Sequence, residues 1–367
     1  TTAQVQAVTT DGIQSLSTTQ IQALETVDLQ ALATDQVQAL TTVQLQAIKT
    51  ADLQALKTTQ VAALTTEQVA ALTTAQIVDL TTSQVQAITT DGIQSLSTVQ
   101  LQAIETVDLN VLKTTQIAAL TSDQLAALTT AQIVALNTAQ VQVIATDNLQ
   151  VLSTAQIVAL ETTDLQALKT TQIEALTTAQ IAVLSTAQIV ALTTAQTAAI
   201  TTDGIQTLST VQIQALETVD LQALGTDQIQ ALTTVQLQAI KTADLQALKS
   251  TQIAAITTDQ IGALTTDQIV ALTTTQVQGI NTDDIQSLTT VQLQALETVD
   301  LQALKTTQIA AITSDQSSAL TTAQVVALTT AQAPALSTDA LQALTTAQLQ
   351  VLETVDLQAL KTAQIEA

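Results

Sequence analysis

The sequence predicts an all-α fold: a solenoid of very short helices, one per eight-residue repeat, with about 3 to 3.4 repeats in each coil. Three observations lead there. From Thr1 the chain divides into 45 full octads and a seven-residue remainder, with no insertion out of phase. The octads share the pattern xTxQΦxAL, where Φ is Ile, Leu or Val. Finally, aromatic residues, Cys, Met and His are all absent although 46% of the chain is hydrophobic. Ordinary cores use aromatics and Met to fill irregular gaps between unlike elements, so their absence suggests one contact copied many times.

Each octad position has a physical reading. Position 2 is Thr except at Ser122, Ser250 and Ser314, and it is read as the N-cap of a short helix, its hydroxyl accepting from an amide in the first turn. Position 4 is Gln or Asp, apart from Gly12, Gly92, Gly204, Asn148 and Ala340; it lies in that first turn, where Asp also meets the positive helix end. Position 5 is aliphatic except at Thr197, Ser317 and Ala333, and position 8 is always Leu, Ile or Val. Positions 5 and 8 are i and i+3 on one face, and small Ala at position 7 lets a neighbouring backbone come close. A continuous helix is excluded, because eight residues advance it about 80° beyond two turns and the apolar stripe would wind around the surface. A β-solenoid is the alternative, since Ile, Val and Thr suit strands. Against it, positions 5 and 8 would point to opposite faces of a strand.

One octad cannot fold by itself, because two buried aliphatic side chains contribute roughly 1.5 to 3 kcal/mol each, while ordering eight residues costs about 12 kcal/mol. Stability must come from stacking. The signature ETVDL, with the close variant ETTDL, begins at Glu25, Glu105, Glu161, Glu217, Glu297 and Glu353. These starts are seven or ten octads apart, and the longer interval carries three extra octads, 33–56 in its first occurrence. A three-octad unit that can be added harmlessly suggests a coil of about three octads, whereas about 3.4 brings seven and ten near whole turns. With helical coils about 9 Å apart, the array would be a rod on the order of 120 Å. The expected organisation is one continuous array over 1–367. Because it starts at Thr1 and stops within the repeat, it is read as a segment of a longer one.

Composition also excludes function classes. A formal charge of −23, with only 8 basic residues, opposes binding to nucleic acid or an anionic membrane. Mean hydropathy is +0.36, yet apolar runs such as 157–160 stop far short of the ~20 residues that span a bilayer. Without His or Cys, catalysis would rest on Ser, Thr, Lys and carboxylates. Lys occurs only at position 1, as at Lys49, Lys57, Lys113 and Lys169, and reads as solvated charge. The expectation is no enzyme, no cofactor, and no catalytic, cofactor-binding or metal-ligating residue.

Four features carry rival readings. Asp283 and Asp284 stand together in NTDDIQSL, and stacked carboxylates could ligate calcium, although first-turn helix acids explain them equally. The Asp-Gly pairs at Asp11, Asp91 and Asp203 mark either a hairpin turn or an altered first turn. A Thr ladder on a flat face would suit ice, but the same Thr is needed as the cap. Pro334 removes an amide from its helix, marking a degenerate octad or a kink.

The stretch LTTAQIVAL, residues 128–136, is similar to the first helix of the repeats in the DNA-reading TAL effectors. It covers only part of that unit, with no second helix and no basic surface, so DNA binding is not carried over. Across the whole chain, the Thr-, Ala- and Gln-rich octads resemble arrays in large bacterial secreted or cell-surface, adhesin-like proteins. That resemblance implies an extracellular stalk, spacer or filament-forming segment that self-associates head to tail or laterally, with high negative charge keeping it soluble. A repeat-face binding module for calcium, ice or a surface glycan is the alternative.

Overall fold

The computed structural model describes residues 1–366, and they divide into two compact units, Thr1–Leu184 and Ser185–Ala367. Within each unit the chain is a regular succession of helices of four to six residues, one per octad, and no strand occurs among the described residues. The α-solenoid reading therefore holds and the β-solenoid alternative does not.

The cap sits one residue earlier than the sequence suggested. Helices begin at position 2, as in Thr42–Ala47, so position 2 is the first helical residue and position 1 is the N-cap. Thr41 shows the arrangement: φ −71° and ψ 157° place it in extended conformation, and its hydroxyl accepts from the Gln44 N–H at 3.2 Å. Gln44 Oε1 in return accepts from the Thr41 N–H at 2.8 Å, completing a capping box. Where position 1 is Lys57, Ala33 or Gly225 the side-chain half of the box is missing. The backbone half persists, with N–H to Gln Oε1 at 2.8 Å in all three. Each helix stops when position 8 leaves helical geometry, as Leu40 does at ψ 132°.

Helices this short are unstable in isolation because nucleation is never repaid by propagation. Packing sustains them. In the first unit, Thr42–Ala47 packs against Thr18–Gln22 before it and Thr66–Ala71 after it, three octads away in each direction. In the second, Thr234–Ala239 packs likewise on Thr210–Ala215 and Thr258–Ala263. Positions 5 and 8 form the core of both units: Leu29 is 1% exposed and Leu32 4%. Position 7 runs close to the coil below, since a Cβ added at Gly279 would lie 3.2 Å from Ser250 O.

Departures from the repeat are absorbed locally. Pro334 replaces its α-turn by a 3-10 turn over Ala333–Ala335, with Ala333 and Leu336 still buried. The Asp-Gly pairs are not hairpins. Gly12, Gly92 and Gly204 lie within helices, each N–H donating to the position-1 Thr. At Gly92 a Cβ would meet Ile88 Cγ2 at 2.8 Å, so the missing side chain relieves the preceding β-branched residue.

Thr197 and Ser317 take the core position with fully buried hydroxyls that have no hydrogen-bond partner. Thr197→Val keeps the shape and removes the orphaned group, so it should raise stability by about 1–2 kcal/mol. Thermal unfolding followed by circular dichroism tests this, and a lowered melting temperature would contradict it.

Candidate functional site: a glutamine clasp between coils

Apart from the aliphatic pair, position 4 is the most regular feature of the structure. Gln there is buried nearly everywhere, 1–3% exposed in most octads. Helix geometry explains why: position 4 precedes the inward Φ residue and lies at N3, close to the core side. Burying an amide requires partners for every donor and acceptor. Oε1 is satisfied by the position-1 N–H, and the amide nitrogen by the preceding coil.

Gln76 illustrates this in the first unit. Its Nε2 donates to Leu45 O at 2.9 Å and Ile48 O at 3.1 Å, 31 and 28 residues back. Gln268 does the same in the second unit, to Leu237 O and Ile240 O, both at 3.0 Å. The acceptors are carbonyls at positions 5 and 8 of the fourth octad back, at a helix end where the position-5 carbonyl also accepts from the position-8 N–H, as Leu45 O does from Ile48 at 3.2 Å. One side chain thus holds its own helix start with one end and caps a helix end in the coil below with the other. The Pro334 octad keeps the clasp, since Gln332 donates to Leu301 O and Leu304 O at 2.9 and 2.8 Å.

Other bonds fix the coil. Gln30 Nε2 donates to Ala55 O, 25 residues on, and Thr26 Oγ1 to Asp52 Oδ1, 26 residues on. Together with the clasp, the bonds between coils join residues 25 to 31 apart, so a coil holds between three and four octads. A whole-number coil of three would not bring position 4 over the fourth octad back.

Asp at position 4 breaks the pattern. Asp108, Asp164, Asp220, Asp284, Asp300 and Asp356 are 2–4% exposed and offer no amide. Every Glu at position 1 accompanies an Asp at position 4: Glu25 with Asp28, Glu105 with Asp108, and so on to Glu353 with Asp356. Burial pushes the Asp164 and Asp300 carboxyls above the usual carboxylate range, and Glu161 and Glu297 add to it. For Asp220, burial dominates over the opposing hydroxyl of Thr194, with Glu217 again raising the value. Burial together with Asp283 raises Asp284 to about 6. Asp283 and Asp284 thus sit in the first turn of Thr282–Ser287. Among the described residues no group of three or more acidic side chains is placed to hold a metal ion.

A model described as the ALTTAQ repeat matches residues 21–51, 45–82, 101–138, 157–194, 197–234, 213–243, 237–274 and 293–330, more than half of the chain. The chain belongs to the ALTTAQ repeat family. No curated protein matches it. The ALTTAQ hits overlap within both compact units, as expected where every octad can start a unit. In structural terms that motif spans position 7 of one octad to position 4 of the next, and so ends on the clasp glutamine. One surface depression, of about 520 Å³, lies beside Glu217, Lys241 and Asp244. No helix is long and apolar enough to cross a membrane among the described residues.

Proposed function

We propose that this ALTTAQ repeat chain is a structural element, an extended stalk, spacer or filament segment working outside the cell or at its surface. The observation that carries this is the uniformity of the clasp. Almost every octad spends its buried polar side chain on the coil below, which builds length. The surface chemistry agrees: exposed Lys at position 1 and exposed acids at position 3 are spread along the array.

End-to-end or lateral self-association is part of the same proposal. Sedimentation velocity and electron microscopy of the purified chain test the proposal. Rods whose length falls in proportion to the octads deleted are expected; a compact particle with a globular frictional ratio would refute it.

A further inference from the structure

We propose that buried aspartic acid at position 4, at Asp220, Asp284 and Asp300, is a proton-operated version of the clasp, in which the protonated carboxyl donates to the coil below and ionisation opens that contact. The template is Asn148, the isostere of a protonated Asp. Its Nδ2 donates to Leu120 O, 28 residues back, at 3.3 Å, while Oδ1 accepts from Ser122 Oγ, 26 residues back, at 2.7 Å. Asp52 and Asp244 reproduce the second bond, accepting from Thr26 and Thr218. The first bond needs a hydrogen that a carboxylate lacks. An ionised Asp therefore sets an anionic oxygen against a helix-end carbonyl, where Asn sets an N–H.

Asp284 shows the conflict. It is 2% exposed; Oδ2 accepts from Asn281 Nδ2 at 2.6 Å, and Oδ1 is buried without a partner. By the register of every clasp, the carbonyls it faces are those of Ile253 and Ile256, 31 and 28 residues back. A proton on Oδ1 would supply the missing donor.

Around the three acids the charged groups are balanced or lean to the acidic side. Around Asp284 they are Asp283 on its own helix, Asp259 on Thr258–Ala263, Lys305 preceding Thr306–Ala310, and Lys249 in the octad that supplies the carbonyls. Asp300 has Glu297, with Asp267 in the octad below and no titratable group in Thr274–Gly279 or Thr322–Val326. Asp220 has Glu217, with Lys241 and Asp244 on the following coil and none on Thr194–Ala199. Glu217 and Glu297 at position 1 favour the protonated forms of Asp220 and Asp300, Asp283 does the same for Asp284, and the raised values of all three agree.

The sign follows from linkage: a carboxyl whose folded value is raised contributes stability that is full below its unfolded value and lost as pH rises through the folded one. Between pH 7.5 and 5 the melting temperature should therefore rise by a few degrees. Lower net charge would do the same, so Asp284→Asn and Asp300→Asn are compared with Asp227→Asn, an equal charge change at an exposed position 3. The clasp variants should melt higher than wild type at pH 7.5 and match it near pH 4.5, with Asp227→Asn showing no such difference. Calorimetry in buffers of different ionisation enthalpy should show proton release on unfolding at pH 6, reduced in both clasp variants. Clasp variants that behave like Asp227→Asn, or unfolding without proton release, would overturn the proposal. So would stabilisation of wild type by millimolar calcium at pH 7.5 that the Asn variants lack, since that would place a cation where the proton is assigned.

Discussion

Gln76→Leu should destabilise the first unit by about 2–4 kcal/mol, although it replaces a polar residue in the core by an apolar one of similar size. The usual expectation, that such a change is harmless, fails because the partners remain. Leu45 O and Ile48 O would lose the amide that caps them, and the Thr73 N–H would lose Oε1 at 3.0 Å. The two carbonyls are buried; Leu45 O keeps the Ile48 N–H at 3.2 Å, and the stripping of Ile48 O, with the opened capping box at Thr73, is what makes the loss large. Gln76→Glu separates this cause from lost packing. It preserves volume and the oxygen facing Thr73, yet turns the donor into an anion against two carbonyls. It should be worse than Leu at pH 7.5 and recover on acidification as the carboxyl protonates. Urea unfolding of the three proteins at both pH values provides the measurement. Equal losses for Leu and Glu at both would show that the clasp contributes packing alone.

The sequence made much of the fold legible because helix and core are local. The separation between positions 5 and 8 suits one helix face and not one strand face, and Leu29 and Leu32 point inward as that spacing requires. The cap was misplaced for a physical reason. Thr is nearly invariant at position 2, while position 1 varies through Thr, Ser, Lys, Glu, Ala, Gly and Asn, so invariance drew the cap to the wrong residue. Position 1 can vary because Gln Oε1 binds its backbone N–H, which Ala33 and Lys57 supply as well as Thr41. The clasp itself was illegible. Its acceptors are backbone carbonyls, which leave no mark on residue type, and they lie 28 and 31 residues away in a coil that is not a whole number of octads. The one available signal was a polar amide next to the inward Φ residue in octad after octad, where a solvated position would have drifted to Glu or Lys. The ETVDL signature was visible as a spacing, but its meaning depends on knowing that position 4 is buried.

Leu101→Ala should cost about 2–5 kcal/mol, the range for truncating a fully buried leucine. Leu101 is 0% exposed, at the contact of Thr98–Ala103 with Thr74–Val78 and Ser122–Ala127, and its carbonyl accepts from Gln132 Nε2 at 2.9 Å. Two features push the effect toward the upper end. The core has no Met or aromatic side chain able to swing into the void. A five- or six-residue helix that loses its anchor also has almost no intrinsic stability to fall back on. The damage should stay near the site, because in a solenoid each unit interacts only with its neighbours. Amide exchange should therefore accelerate most in the octads three and four positions to either side, where packing and clasp partners lie, and much less near Thr1. Val99→Ala in the same helix is the control: Val99 is 61% exposed at position 3, and its truncation should stay within about 0.5 kcal/mol. Uniform acceleration of exchange throughout Thr1–Leu184 would instead mean that this unit unfolds as one cooperative block, with coupling that reaches well beyond adjacent coils.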